Sequence, residues 1–307
     1  MEAQFIDDPA APLGARWFAH MQRGELESAW SVSDAVLASR AGLPCHHLPR
    51  HLQYIWDGSP LDDARVLIRC YHGLGDTIQF IRYAPLVHAV AREVIVWAQP
   101  ELVPLLESCE GIDRLEPLHD GVLAVPYDVD VEIMELPYVF RSTLATLPCD
   151  MPYLTAPRAS RPRDDRLAVG LVTRAGGWDE RRSIPADRLK PLADLPGVHI
   201  QLLHEPAANA CDLFEIAHGT DTVLGTAGLM RALDLIVSVD SMPAHLAGAL
   251  GVPVWTLLRH DADWRWMRDR ADSPWYPTMR LFRQPHEGAW PAVIEQVRVE
   301  LARLGSD

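Results

Sequence analysis

Arg65-Val66-Leu67-Ile68-Arg69-Cys70-Tyr71-His72-Gly73-Leu74-Gly75-Asp76-Thr77-Ile78-Gln79-Phe80 is the stretch from which the fold can be read. Val66-Leu67-Ile68 is a short, continuously apolar run, the pattern of a strand buried on both faces of a parallel sheet. The glycines at 73 and 75 break it with a turn. Ile78, Ile81, Leu86 and Val90 then recur at helical spacing, which predicts a helix from about Thr77. Strand, glycine turn, helix is one half of a βαβ unit, and the rhythm continues. Val94-Ile95-Val96-Trp97 reads as the next strand, Pro100 to Ser108 as the next helix, and Arg114–Glu116 and Val129–Glu132 as weaker strands. Strands alternating with helices imply a parallel sheet covered on both faces.

The rhythm stops at residues 155–166, which hold two Pro, four Arg and two Asp, and then restarts. Strands are expected over 167–172, 198–203, 235–239 and 252–258. Helices are expected over 185–192, 226–233 and 243–250, with a last helix at Trp290 to Leu304 carrying Val293, Val297 and Leu301 on one face and Pro291 in its first turn. The expected organisation is residues 1–62 as an N-terminal helical segment and connector, 63–157 and 165–289 as two Rossmann-like domains facing a cleft, and 290–307 as a C-terminal helix. Ligands in such sheets lie beyond the carboxyl ends of the strands. Upstream, Arg16 to Ala41 reads as two short helices broken at Gly24. A pair of that size resembles one tetratricopeptide unit, which cannot bury its own face and must pack on the chain or on a partner.

Three loops after strands carry the candidate chemistry. In Gly73-Leu74-Gly75-Asp76 the glycines allow a close backbone approach, and Asp76 reads either as a helix cap or as a general base. In Thr173-Arg174-Ala175-Gly176-Gly177-Trp178-Asp179-Glu180-Arg181-Arg182, the arginines suit a phosphate, or pair with the loop's own acids. In Asp240-Ser241-Met242-Pro243-Ala244-His245-Leu246, a strand ends at Asp240 and Pro243 opens a helix. The unpaired N–H groups of such a first turn favour an anion. His245 reads as a hydrogen-bonded structural histidine or a phosphate donor.

Together these segments resemble glycosyltransferase family 9, in particular members whose heptosyltransferase-like region follows tetratricopeptide repeats. The resemblance rests on Trp56-Asp57-Gly58, on Gly73 to Leu86, on Arg182-Ser183-Ile184-Pro185, on Leu233-Asp234-Leu235 and on Asp240 to Leu250. It continues in Asp263-Trp264-Arg265-Trp266, Ser273 to Pro277 and Met279 to Gln284. It implies a GT-B fold, with the acceptor on the first domain and the nucleotide-sugar donor on the second. It also implies inverting, metal-independent transfer to an acceptor hydroxyl without a further cofactor. Asp76 then matches the general base. Gly75, Thr173, Arg174, Arg182, Asp240, Ser241, His245 and Leu246 fall on the donor-binding side. Arg182 stands where the related enzymes carry a Lys, and Glu205 matches their ribose-binding Glu. A heptose linked to ADP is the implied donor; the acceptor is a glycan, a lipid-linked glycan or a protein. Because the leaving nucleoside diphosphate gains charge in the transition state, cations at the site would accelerate transfer, and local charge there is expected to be positive.

Composition narrows the alternatives. The 307 residues carry 42 acidic against 28 basic side chains, a formal charge of −14, which argues against a partner held through a basic surface, such as nucleic acid. Screening over about 8 Å at physiological salt lets a local site differ from that global balance. No run of 18 apolar residues occurs, so no spanning helix is expected. The N-terminus shows no signal-peptide pattern, and the five cysteines are scattered with no C-x-x-C pair. The expectation is a cytoplasmic protein without disulfides. Cys45, His46, His47 and His51 lack a second clustered pair and are not taken as a metal site. The aromatic tail (Trp264, Trp266, Trp275, Tyr276, Phe282) is expected to be packing. Two other readings fit the same motifs: a non-catalytic nucleotide-binding or interaction protein, and an epimerase or hydrolase of nucleotide-sugars.

Overall fold

The computed structural model describes residues 12–40, 56–161, 165–177, 179–204 and 213–306. It opens with the helix pair α1 (Leu13–Arg23) and α2 (Leu26–Arg40), parted at Gly24, whose φ of 75° is the left-handed value a helix C-cap favours. The pair buries its face against the rest of the chain, touching both halves of it. The Trp30 indole N–H donates to the Ser142 carbonyl at 2.7 Å, and Asp34 accepts from Arg141 and from the Tyr138 hydroxyl, each at 2.7 Å. On the other side Trp17 sits edge-on to Trp264 at 5.4 Å, and the Arg268 N–H donates to the Gln22 carbonyl at 2.7 Å.

The first sheet contains β1 (Arg65–Arg69), β2 (Glu93–Ala98), β3 (Arg114–Pro117) and β4 (Val129–Glu132), all parallel, in the order β3-β2-β1-β4. The helix expected from Thr77 to Val90 is instead α3 (Leu74–Phe80), a 3-10 turn over Ile81–Tyr83 and α4 (Ala84–His88). Pro85 has no N–H for the carbonyl one turn back, so a single helix cannot run through it. The next helix, α5, covers only Val103–Leu106, with Pro104 in its first turn, and Leu136–Val139 adds a short α6 that the sequence pattern did not show.

The second sheet holds β5 (Leu167–Val172), β6 (Val198–Leu202), β7 (Glu215–Ile216), β8 (Leu235–Val239), β9 (Val254–Leu258) and β10 (Met279–Arg283). All are parallel, in the order β10-β9-β8-β5-β6-β7. Between them run α7 (Val223–Met230) and α8 (Met242–Ala249), and α9 (Trp290–Leu304) closes the second core with Val293, Val297 and Leu301. The helix expected over 185–192 is two 3-10 turns, Ala186–Arg188 and Lys190–Leu192, with Pro191 inside the second. Most of the aromatic tail is packing as expected, with Trp266, Trp275 and Tyr276 fully buried, while Trp264 also lines a cavity.

Strand order decides where a ligand can sit. The chain runs outward from β1 to β3 and then returns to β1's other edge as β4; it runs outward from β5 to β7 and returns as β8. Each reversal leaves two loops diverging at the carboxyl ends of adjacent strands, a crevice that accepts ligands. The halves meet so that these crevices face each other. α3 crosses α8 where Gly75 lies, and a Cβ there would come within 2.9 Å of His245 Cδ2 and 3.4 Å of Met242 Cα. Arg82 ties the halves together behind. Its guanidinium lies between the Tyr153 and Tyr276 rings, 4.6 and 4.5 Å from their centres, and donates to the Gln79, Pro148 and Trp275 carbonyls.

Candidate functional site

Both crevices open into one cavity of about 470 Å³. The loop after β1 contributes His72 to Asp76, and the loop after β4 contributes Met134. From the second half come Gly176 and Arg182 after β5, Asp240 to Met242 and His245 after β8, and Asp263 to Arg265 after β9. The topology brings these segments together from opposite ends of the sequence.

Asp76 occupies the third position of α3, where its Oδ2 accepts from the Gly73 backbone N–H at 3.0 Å. It thus closes the helix start as a capping carboxylate does, while its Oδ1 points across the gap. There it accepts from Arg265 Nη2 at 2.7 Å. Arg265 also pairs with Asp263 Oδ1 at 2.9 Å through Nη1, stacks over Trp264 and keeps its Nε buried without a hydrogen-bond partner. Burial works against the Arg265 charge, and the Asp263, Asp76 and Asp240 carboxylates more than offset it.

Asp240 lies opposite, at the end of β8. Burial and the neighbouring Asp263 carboxylate push it up to about 6, against the pull of Arg265 and Arg182. Arg182, 9% exposed, turns inward and donates to the Asp240 carbonyl at 2.9 Å. Its neighbour Arg181 instead pairs with Asp179 at 2.9 Å, so the two arginines divide between the cavity and the loop's own acids. His245 is held neutral: burial drives its protonation far below the ordinary imidazole range, and Arg265, Arg82 and Arg182 add to that. Its Nδ1 is 3.0 Å from the Tyr276 hydroxyl and its ring stacks on Trp266 at 5.2 Å.

The helix end of α8 is poorer in amides than the sequence suggested. Met242 is its first residue, so Pro243 takes the second position and supplies no N–H, and the Ala244 N–H already donates to the Ser241 carbonyl at 3.0 Å. No side chain caps this end, because the Ser241 hydroxyl donates to the Val239 carbonyl. The expected positive local charge is also corrected. The described lining carries Arg182 and Arg265 against Asp76, Asp240 and Asp263, and the charge on each arginine is already engaged.

Of the residues singled out in the sequence, Gly75, Asp76, Arg182, Asp240, Ser241 and His245 line the cavity. Thr173, Arg174 and Leu246 are not among its lining residues. Thr173 is buried under the β5 loop, the exposed Arg174 sends its N–H toward His204 Nε2 at 3.4 Å, and Leu246 is fully enclosed in the core. Glu205 and the Cys45, His46, His47 and His51 cluster lie outside the described residues. The sequence reading did not assign Arg265 to the site, although Asp263-Trp264-Arg265-Trp266 was among the segments noted. It also missed Glu132 at the end of β4. That carboxyl is raised to about 8 by burial, with Glu135 and Asp76 adding repulsion, and its Oε1 stands 3.5 Å from Nε2 of the cavity-lining His72.

No family model matches the chain. Among curated proteins, Protein FlbA of Caulobacter vibrioides is 32% identical over 76 residues, which is 24% of this chain and 12% of FlbA, so the chain spans a small part of that relative's length. Solved structures match far more of it. A glycosyl transferase family 9 structure from Veillonella parvula aligns with a TM-score of 0.57 at 13% identity, over 80% of this chain and 98% of the other. E. coli ADP-heptose lps heptosyltransferase II aligns at 0.54 and 14%, over 79% and 100%. The E. coli heptosyltransferase WaaC with ADP-2-deoxy-2-fluoro heptose aligns at 0.52 and 12%, over 78% and 99%. At such identities the likeness is one of fold: the chain has the GT-B arrangement of those structures, with a helix pair ahead of its two parallel-sheet halves.

Proposed function

We propose that the cavity is the active site of an inverting glycosyltransferase, taking a sugar from a nucleoside-diphosphate donor to an acceptor hydroxyl. One observation carries this reading: Asp76 from one crevice and Arg182, Arg265 and the start of α8 from the other share a single cavity. In the step, the acceptor O–H gives its proton to Asp76 as its oxygen bonds to the anomeric carbon. The bond from that carbon to the phosphate oxygen breaks, and its electron pair leaves with the nucleoside diphosphate. Charge that grows on the departing phosphate is met by the Arg182 and Arg265 guanidinium groups and the positive end of α8, which strengthen their hold as it develops. In this reading the arginines supply that charge, without a metal or further cofactor. Neutral His245 holds α8 against Tyr276 and adds no charge.

E. coli WaaC was solved with ADP and with ADP-2-deoxy-2-fluoro heptose, which favours ADP-activated heptose as the donor. Glu205 would hold its ribose, and a glycan, lipid-linked glycan or protein hydroxyl would accept the sugar. The helix pair is the counterpart of a tetratricopeptide unit in this reading. Thermal unfolding with ADP, GDP, UDP and CDP tests the donor site, and stabilisation by none of them refutes it. Asp76→Asn then tests the chemistry. Transfer should fall by about a thousand-fold, within the range that removal of a general base produces, and full turnover would remove Asp76 from the mechanism. The hydrogen bonds already made by both Asp76 oxygens favour one other reading, a nucleotide-binding protein on the same scaffold. It predicts stabilisation by a nucleotide with no sugar transfer from any donor.

A further inference from the structure

We infer that Arg265 is an exchangeable cation, paired with Asp76 while the donor site is empty and drawn onto the diphosphate when the nucleotide binds, so that the carboxylate is released only when donor is present. The inference rests on the proposed transferase reading and assigns Arg265 the task of coupling the two sides of the cleft.

Charge arrangement carries it. Arg265 stands among three carboxylates, Asp76, Asp240 and Asp263, and bridges two of them at 2.7 and 2.9 Å. Asp76 belongs to the first half and Asp263 to the second, so the guanidinium spans the gap between crevices. A diphosphate placed at the start of α8 enters a site with more carboxylates than guanidinium groups, and Arg182 is already committed to the Asp240 carbonyl. Repulsion from the acids then has to be relieved by moving positive charge toward the phosphates. Arg265 is the group able to do so: it lines the cavity and pairs with a carboxylate of each half, so it can leave Asp76 while keeping Asp263. A guanidinium fork also matches two phosphate oxygens better than a single carboxylate oxygen, and a diphosphate outcompetes one carboxylate for it.

Exchange has a second consequence. While Arg265 Nη2 holds Asp76 Oδ1 at 2.7 Å, that oxygen is occupied and has no place for an acceptor hydroxyl. Moving the guanidinium to the leaving group serves both ends of the reaction, freeing Asp76 Oδ1 to receive the hydroxyl and stabilising charge on the phosphate. It also imposes order, with the donor bound before the acceptor hydroxyl is activated.

ADP binding to the full chain, measured by titration calorimetry, tests the exchange without needing an acceptor. In the empty site Asp76 competes with ADP for Arg265. Asp76→Asn, which removes that competition, should therefore tighten ADP binding by about five-fold, the scale of one ion-pair coupling. Arg265→Gln should weaken it by about ten-fold. In the Arg265→Gln background the gain from Asp76→Asn should vanish. A fixed structural bridge makes the opposite forecast, since breaking it leaves a buried charge unpaired and loosens the site. If Asp76→Asn fails to tighten binding, or tightens it equally with and without Arg265, exchange is overturned while the donor site stands. If wild-type protein binds no nucleoside diphosphate, both readings fall. Should Arg265→Gln not fold, Arg265→Met replaces it. With no cation for Asp76 and the diphosphate to compete for, the Asp76→Asn gain should again vanish, and an undiminished gain overturns the exchange.

Discussion

Gly75→Ala measures how tightly the two halves are pressed together at the site. The added Cβ would lie 2.9 Å from His245 Cδ2 and 3.4 Å from Met242 Cα. The ring cannot step aside cheaply, because His245 is 4% exposed, bonded to the Tyr276 hydroxyl and stacked on Trp266. Overpacking of this kind costs about 1–3 kcal/mol. Against it stands the helix preference of Ala over Gly, at most about 1 kcal/mol in a helix interior and less in a first turn. The clash wins, leaving a net loss of about 1–2 kcal/mol. Urea unfolding of wild type, Gly75→Ala, His245→Ala and the double variant isolates the contact as a cycle. With the ring removed, the alanine should become neutral or mildly stabilising. A Gly75→Ala protein as stable as wild type refutes the reasoning, and so does a penalty that persists without His245. ADP affinity of Gly75→Ala should rise, since moving α3 from α8 draws Asp76 away from Arg265 and lessens its competition with the diphosphate.

Two further outcomes are expected. Glu132 in the folded chain holds its proton up to about pH 8, against an ordinary value of 4.5. Its contribution to stability is therefore complete below pH 4.5 and lost as pH rises through 8. Glu132→Gln, which mimics the protonated form, should lose less unfolding free energy than wild type between pH 5 and pH 9, and parallel curves for the two proteins would refute this. Arg182→Ala should weaken ADP binding by about ten-fold, the scale of a lost charged hydrogen bond, and slow transfer as well. Unchanged affinity and rate would reduce Arg182 to a support for the Asp240 carbonyl.

Most of the parallel strands were legible because they are short apolar runs ending in a turn, as Val66-Leu67-Ile68 and Leu235 to Val239 show. By contrast β7, two exposed residues, and β10, an apolar run interrupted by Arg280, were not expected. Helix continuity was less legible. Pro85 and Pro191 fall inside expected helices that are found in pieces, and periodicity alone ignores a missing N–H. Asp76 and Asp240 could be placed because each lies between a strand and the helix after it, Asp76 behind the glycine turn and Asp240 at the strand's end. Arg265 could not, since its role depends on a pairing 189 residues away in the chain. Its signal was present in Asp263-Trp264-Arg265-Trp266, a charged pair among aromatics, but the aromatics read as packing and drew attention from the charge. Glu132 closes a weak strand, and only burial beside Asp76 reveals its altered proton affinity.

The N-terminal helix pair straddles both halves, and that sets the terms on which the mouth between them can widen. Parting them requires α1 to let go of Trp264 and Arg268, or α2 to let go of Tyr138, Arg141 and Ser142. It also requires Arg82 to surrender the Trp275 carbonyl on the far side. A jaw pinned at both ends does not swing freely. Trp264, touched by Trp17 on one face and by the Arg265 guanidinium on another, makes the front pin a neighbour of the reacting groups, so whatever seizes the helix pair also leans on the cleft.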